Sequence, residues 1–278
     1  MTRIWLVTGA GGGLGRAIAQ SAAAAGDTVV AAVRRPESVA DLVAAYPERV
    51  DPLRLDIADI SAIDGVVADV IARHGQVDVL VNNAGRSLVG AAEETTQDDL
   101  RSLFDVHFFG PVALARAVLP LMRERGSGAI VQMSSMGGRL SFPGVSAYSA
   151  SKFALEGWSE ALHAEVAPLG ITVLIVEPGN FRTGLLTASD YSAELPAYAA
   201  TVGVTRKMTR DNDGRQIGDP AKAATAIRTA LDARQPPLRL VLGADAVDAV
   251  RVSDTERAAE LDAWEHVARD TAYDEEIR

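Results

Sequence analysis

The sequence predicts a doubly wound α/β fold, in which a parallel sheet of about seven strands carries helices on both faces. Two observations support this prediction. Short runs rich in Val, Ile and Leu alternate with longer segments whose apolar residues follow helical spacing. The short runs are apolar at nearly every position, which is typical of parallel strands buried on both faces. The alternation predicts right-handed crossover connections.

The candidate strands extend from the N-terminus to about residue 242. They cover residues 4–8, 29–33, 53–55, 77–81, 129–134, 171–177 and 238–242. Between them, one helix is predicted to bury a face formed by Ile63, Val66, Val67, Val70 and Ile71, and two long helices are predicted over 98–125 and 146–168. We find no internal repeat and no linker-like boundary, so we expect a single domain over residues 1–278.

The composition excludes several classes of site. The chain of 278 residues is 48% hydrophobic and 23% charged, which is ordinary for a soluble enzyme. It has no cysteine, so disulfides and thiolate chemistry are excluded, and none of its four histidines are spaced as a helical metal pair. We expect no metal. The net charge of −10 argues against phosphate neutralisation, so we expect no nucleic-acid partner.

Two segments depart from the alternation. Residues 182–218 mix polar and apolar side chains, and we interpret them as a substrate lid, with a surface excursion as the alternative. Residues 251–278 are predicted to form an acidic helix and tail. The chain has no run of 18 apolar residues and its N-terminus has no signal-peptide pattern, so we expect a cytoplasmic protein without a membrane span.

A glycine-rich turn follows the first strand and opens the first helix. It reads Thr-Gly-Ala-Gly-Gly-Gly-Leu-Gly from Thr8 to Gly15 and matches TGxxxGxG rather than GxGxxG. Such a turn lets backbone N–H groups approach a pyrophosphate, which the helix N-terminus favours. We therefore predict a Rossmann-type dinucleotide site. Its expected residues are Gly9, Gly11, Gly13, Leu14 and Gly15.

The end of the second strand indicates which dinucleotide binds. NAD-binding folds place an acid there to accept hydrogen bonds from the ribose 2′-hydroxyl. Here the strand ends at Val33, and Arg34 and Arg35 follow. A guanidinium binds a 2′-phosphate that a carboxylate would repel. We expect NADP(H) rather than NAD(H), with Arg34 as the main contact; the alternative is an ordinary surface arginine.

Tyr148 and Lys152 lie four residues apart in the predicted helix after the fifth strand, so they share one helix face. A neighbouring ammonium stabilises phenolate and lowers the pKa of the phenol, which suits Tyr148 to acid–base catalysis. Ser135 lies at the end of the fifth strand, where its hydroxyl can stabilise a developing alkoxide.

Together these motifs resemble the short-chain dehydrogenase/reductase family, in its single-domain branch. The match extends from about Arg3 to Gly243 and includes the glycine-rich turn, the Asn-Asn-Ala-Gly sequence of residues 82–85, and Pro178-Gly179. The resemblance implies that Ser135, Tyr148 and Lys152 are catalytic. The cofactor-binding residues that it implies, besides the glycine-rich turn and Arg34, are Asp56, Ile57, Asn83, Ala84, Gly85, Tyr148, Lys152, Pro178, Gly179 and Thr183.

His107 departs from the family pattern, since the family commonly has Asn at this position, where it helps to bind a water in a proton relay. Two explanations stay open. A neutral imidazole can accept and donate, so His107 could keep the relay. Alternatively, His107 only occupies the space and hydrogen-bonds to a nearby backbone group. In the first case His107 is a fourth catalytic residue.

We expect a small-molecule carbonyl or alcohol substrate that is mostly apolar, because the segments after the fourth strand, residues 136–145 and the lid supply apolar side chains. These segments resemble hydroxysteroid- and retinol-dehydrogenase-like members, and the family implies a homodimer or homotetramer. Two other functions stay open: a non-catalytic NADP(H)-binding sensor, and an epimerase or dehydratase on the same fold. The candidate pocket residues are Leu88, Val89, Leu140, Phe142, Val145, Leu185, Leu186 and Tyr191.

Overall fold

The structure is a computed structural model that describes residues 2–273. Residues 274–278 of the predicted acidic tail lie outside this part. The strands are β1 (Ile4–Thr8), β2 (Thr28–Val33), β3 (Val50–Arg54), β4 (Val79–Asn82), β5 (Leu88–Val89), β6 (Gly128–Met133), β7 (Ile171–Pro178), β8 (Asp190–Tyr191) and β9 (Arg239–Leu242). The helices are α1 (Gly13–Ala24), α2 (Ala40–Ala45), α3 (Ile60–His74), α4 (Gln97–Phe104), α5 (Gly110–Arg125), α6 (Ser146–Val166), α7 (Val202–Asn212), α8 (Pro220–Leu231) and α9 (Ala244–Arg269).

Seven parallel strands form one sheet in the order β3-β2-β1-β4-β6-β7-β9. The predicted doubly wound α/β fold is confirmed. The strand order reverses between β1 and β4, because β2 and β3 lie on one side of β1 and all later strands of the sheet lie on the other. In such sheets the crevice at the carboxyl ends of the strands, at this switch point, is where ligands bind.

Side chains alternate between the two faces of the sheet, and each face has its own hydrophobic core. Trp5 and Val7 pack with α1, α2 and α8, whereas Leu6 packs with α3, α5 and α6. All three residues are fully buried. A strand with both faces covered needs apolar residues at consecutive positions, which explains the unbroken apolar runs in the sequence.

The long helix predicted over 98–125 contains a wider turn at its middle. α4 and α5 join through a π-helical turn, Asp105–Phe109, and His107 is buried within it. By length and composition alone, the run Gln97–Arg125 could cross a membrane. The same composition suits a helix packed in a protein core, and here Leu114, Val118 and Met122 pack against the sheet.

The predicted lid, residues 182–218, contains β8, α7 and a short 3-10 turn, Pro196–Tyr198. β8 pairs with β5 in a separate two-stranded parallel sheet, with Leu88 opposite Asp190 and Val89 opposite Tyr191. The segment is therefore tied to the chain that follows β4. The sequence did not predict either of these short strands.

The C-terminal helix starts earlier than its sequence pattern predicts, at Ala244 rather than near residue 251. Its first two turns are anchored by the buried Ala246 and Val250. Beyond them Leu261 and Trp264 are 65% and 63% exposed. α9 therefore buries side chains only near its start, although Asp254 accepts from Arg139 and Arg257 lies over the ring of Phe153 further along the helix.

Candidate active site

The glycine-rich turn connects β1 to α1 and is shaped by close packing against residues 83–84. Gly9 has a φ of +67°, and a Cβ on it would lie 2.9 Å from Cα of Ala84. A Cβ on Gly15 would overlap with the side chain of Asn83 and lie 2.5 Å from the carbonyl oxygen of Gly9. These two glycines are thus required for contact between two loops as well as for backbone approach to a phosphate.

The start of α1 fits a pyrophosphate. Within residues 2–273, no side chain caps this helix, whose N-cap residue is Gly12, so its first N–H groups face outward. A Cβ on Gly12 would find open space within 4 Å. An uncapped helix N-terminus with free space before it is the arrangement that binds phosphate groups. Leu14 is half-buried, and its side chain packs against the core.

Asn83 and Thr8 hold the ends of β4 and β1 together. The amide of Asn83 donates to the carbonyl oxygen of Thr8 at 2.9 Å. The Thr8 hydroxyl accepts from the backbone N–H groups of Asn83 and Ala84, at 2.9 and 3.0 Å, and donates to the carbonyl of Val81. We did not single out Thr8 from the sequence, although it opens the TGxxxGxG motif.

A cavity of about 390 Å³ lies beside the carboxyl ends of β2 and β3. Arg34 and Asp56, both expected to bind cofactor, line it together with Arg54, which we did not predict. Arg54 donates to the carbonyl oxygen of Arg34 at 3.4 Å. Asp56 also accepts from the N–H of Ala58 and so stabilises a turn. Ile57 is 5% exposed and packs in the core, so its side chain does not face this cavity.

Ser135 and Tyr148 converge beyond the carboxyl end of β6. Ser135 ends an extended segment and its hydroxyl accepts from the N–H of Gly137 at 3.0 Å. A Cβ on Gly137 would lie 3.2 Å from Cε1 of Tyr148 and 3.4 Å from Oγ of Ser135, so both side chains border one spot. Gly137 leaves that spot free.

Lys152 lies one turn beyond Tyr148 on α6 and is 5% exposed. Its Nζ lies 5.8 Å from the centroid of the Tyr148 ring. Burial lowers the pKa of Lys152 to about 8, and Glu156 opposes this shift.

The pKa of Tyr148 differs from the sequence-based expectation. Burial raises it above its ordinary value, and the Ser135 hydroxyl partly opposes the shift. We expected the ammonium of Lys152 to lower this pKa. The expected direction is wrong for the protein alone, because the loss of hydration on burial outweighs the hydrogen bond from Ser135.

The loop after β7 contains Pro178, Gly179 and Thr183. Thr183 approaches the glycine-rich turn, since a Cβ on Gly13 would lie 3.1 Å from its Cβ. Asp245 of α9 accepts from the backbone N–H of Asn180 at 2.8 Å, and a Cβ on Gly179 would lie 2.5 Å from its carboxylate. Asp245 therefore fixes this loop. No sequence motif indicates this role of Asp245.

The expected pocket residues differ widely in exposure, and Leu140, Leu186 and Tyr191 are half-buried. Leu88 and Val89 are 3% and 2% exposed and belong to the interior, so they do not line an open pocket. Phe142 and Leu185 are 41% and 39% exposed. These two residues lie on the segments that follow Ser135 and Pro178.

The family model described as short chain dehydrogenase matches residues 3–194, which include the glycine-rich turn, Ser135, Tyr148 and Lys152. The chain belongs to the short-chain dehydrogenase family. The crystal structure of a short-chain dehydrogenase from Streptomyces avermitilis is 58% identical, with a TM-score of 0.94 over 98% of this chain and 100% of that chain.

Other members of the short-chain dehydrogenase family resemble the chain over most of its length. The oxidoreductase BOA17 of Botryotinia fuckeliana is 39% identical over 89% of this chain and 91% of its own. The 3-ketodihydrosphingosine reductase of Bacteroides thetaiotaomicron is 34% identical over 87% of this chain and 88% of its own. A family member from Burkholderia phymatum, solved in complex with NAD, is 22% identical with a TM-score of 0.83 over 93% and 95% of the two chains, and shows the fold alone.

Proposed function

We propose that this short-chain dehydrogenase is an NADP(H)-dependent enzyme that interconverts a carbonyl group and an alcohol, with Tyr148 as the acid–base residue. One observation carries the proposal. The phenol of Tyr148 and the hydroxyl of Ser135 border one spot beyond the carboxyl end of β6, with the buried ammonium of Lys152 near the phenol ring, and a glycine-rich turn that fits a pyrophosphate follows the carboxyl end of β1 in the same parallel sheet.

Each side chain has a distinct task in carbonyl reduction. NADPH, held by the glycine-rich turn and Arg34, would supply the hydride when bound. The substrate oxygen lies between Ser135, which donates a hydrogen bond, and Tyr148, which donates the proton. A raised pKa keeps Tyr148 protonated at neutral pH, as reduction requires. Lys152 places a positive charge near the phenol, which stabilises the phenolate left after proton transfer.

The preference for NADP(H) rests on the cavity beside β2 and β3. Arg34 follows directly on β2, where an NAD-binding enzyme has an acid, and Arg54 lines the same cavity. Two guanidinium groups provide bidentate donors for a 2′-phosphate. Asp56 lines the same cavity, and we assign it to contact with the adenine.

For the substrate we propose an apolar ketone, aldehyde or secondary alcohol. Phe142 and Leu185 expose apolar surface on the two segments that flank the catalytic residues. One of the similar proteins is named 3-ketodihydrosphingosine reductase, a name that denotes ketone reduction. We also propose a homo-oligomer, for which the exposed Phe109 on the Gln97–Arg125 run is a contact candidate. A monomeric mass at micromolar concentration would contradict the oligomer.

The function is tested with NADPH oxidation over a panel of apolar ketones and aldehydes, comparing the parent protein with Tyr148→Phe. We expect turnover to fall at least about 100-fold while NADPH still binds, because only the transferable proton is lost. Tyr273→Phe is the matched control, since Tyr273 is 87% exposed and should have parent activity. Equal turnover by Tyr148→Phe would refute the mechanism, and NADPH binding without turnover of any carbonyl would favour the sensor.

A further inference from the structure

The imidazole of His107 is enclosed between the loop that follows β4 and the catalytic helix α6. His107 is 1% exposed. Its ring meets the ring of Tyr148 edge-on, with 5.4 Å between centroids. Each ring nitrogen has a partner within the protein, so these partners determine where the ring carries its proton.

One ring nitrogen faces a group that can only donate. The backbone N–H of Arg86 donates to Nε2 of His107 at 3.1 Å. A ring nitrogen that accepts a hydrogen bond carries no proton, so a neutral ring must hold its proton on Nδ1.

The other ring nitrogen leads independently to the same tautomer. Nδ1 lies 2.8 Å from Oγ of Ser151. The Ser151 hydroxyl donates its proton to the carbonyl oxygen of Tyr148 at 2.7 Å. Since a serine has only one hydroxyl proton, Oγ must accept from the ring, and Nδ1 is the donor. A directional chain of hydrogen bonds therefore runs from Arg86 through His107 and Ser151 to the backbone of Tyr148.

A charged imidazole does not fit this chain. A proton on Nε2 would point at the N–H of Arg86, and that hydrogen bond would be lost. Burial lowers the pKa of His107 well below its ordinary value, and the charges of Lys152 and Arg86 act in the same direction. The hydrogen-bond geometry and this shift both favour a neutral ring.

We propose that His107 is a positioning residue, which ties the cofactor-side loop of residues 83–86 to the backbone of Tyr148, and that its imidazole carries no protons during catalysis. A relay through the ring needs both nitrogens to exchange protons with their partners, and a backbone amide such as that of Arg86 does not do so. Gly85 permits the approach, since a Cβ there would lie 3.2 Å from Nε2. The part of this proposal that concerns the cofactor rests on the proposed function.

The tautomer is tested without substrate or turnover. The full-length protein, labelled with ¹⁵N in its histidine rings, is examined by NMR between pH 5.5 and 8.5, with and without NADPH. A His107→Gln variant assigns the resonances. We expect one ring with a protonated Nδ1 and a bare Nε2 throughout. A proton on Nε2, or a ring that titrates in this range, overturns the proposal even if the enzyme is an active reductase.

Variants that restore one hydrogen bond at a time test the positioning. Gln at position 107 reaches the place of Nε2 and can accept from Arg86, whereas Asn reaches only the place of Nδ1. We expect His107→Phe to weaken NADPH binding about tenfold, by loss of the hydrogen bond to the loop, and His107→Gln to recover most of the affinity. Parent affinity in His107→Phe with a selective loss of kcat, not recovered in His107→Gln, would show a relay instead.

Discussion

The Nζ of Lys152 donates a hydrogen bond of 2.8 Å to the carbonyl oxygen of Met133, the last residue of β6. This bond joins the catalytic helix α6 to the end of the strand that leads to Ser135. It also orients the ammonium, although within residues 2–273 no carboxylate lies within ion-pair distance of Nζ. Burial without a close anion explains why the pKa of Lys152 falls to about 8.

The first prediction follows from that pKa. A lysine whose pKa is about 8 loses its positive charge as the pH rises through 8. We expect kcat/KM for NADPH, which reports the free enzyme, to decline about tenfold per unit above that pH. Lys222→Met, at an exposed lysine of α8, should keep the parent profile, and Lys152→Met should lose most of the activity at every pH. A flat parent profile between pH 7 and 9.5 would contradict the assignment.

The second prediction concerns cofactor choice. Arg34→Ala should raise the KM for NADPH at least about tenfold and leave the KM for NADH nearly unchanged, because only NADPH has the 2′-phosphate. Arg54→Ala should give a smaller effect in the same direction. Arg35→Ala is the control at a neighbouring exposed arginine. Unchanged NADPH affinity in Arg34→Ala would show that Arg34 is an ordinary surface residue.

The third prediction concerns the buried ion pair that holds the predicted lid. Nη2 of Arg206, on α7, lies 2.8 Å from Oε2 of Glu94, and the side chains are 3% and 0% exposed. Glu94 also accepts from the N–H groups of Ala91 and Leu195, which with Arg206 lower its pKa to about 2. The stabilisation is therefore present above the ordinary pKa of a glutamate and lost as the pH falls toward 2.

Arg206→Met leaves the Glu94 carboxylate buried without its counter-charge, a change that typically costs about 3–5 kcal/mol. We expect limited proteolysis at neutral pH to cut within residues 182–218 much faster than in the parent protein, with sites mapped by mass spectrometry. Arg210→Met serves as the control, because Arg210 lies on the same helix as Arg206 but is exposed and pairs with Glu194. Parent resistance in Arg206→Met would mean that other contacts hold the lid.

The fourth prediction concerns Glu177, which is fully buried at the end of β7. Burial, together with the nearby Glu156, raises its pKa to about 7 against the opposing charges of Arg139 and Arg239. The folded protein thus binds more protons than the unfolded chain between about pH 4.5 and 7, and stability falls as the pH rises through this window.

Glu177→Gln keeps the shape and removes the titration. We expect the variant to unfold at a higher Tm than the parent at pH 8, which corresponds to up to about 3 kcal/mol of additional unfolding free energy. The difference should shrink as the pH falls toward 5. Glu160→Gln is the control, because its exposed carboxylate pairs with Arg239 and has a lowered pKa. A Tm difference that does not depend on pH would exclude a titrating Glu177.

The fold was predictable because each strand and helix has a hydrophobic pattern within its own stretch of sequence. Strands such as Ile4–Thr8 are covered on both faces, so nearly every residue must be apolar, and the observed strands agree with the predicted ones to within a few residues. The proximity of Ser135, Tyr148 and Lys152 was also predictable from their spacing, since one strand end and one helix face bring them together. Short elements such as β5 and β8 have no such pattern, because they contain only two residues each.

What the sequence determined by itself is therefore the order of strands and helices along the chain, the glycine-rich turn and the candidate catalytic side chains, all of which depend on spacing within one element or one turn. Only the tertiary structure decided the tautomer of His107, the anchoring of the Gly179 loop by Asp245, and the pairing of Glu94 with Arg206 across 112 residues. The physical reason is that hydrogen bonds and burial depend on partners in space, and residues distant in the sequence carry no periodicity that would reveal them.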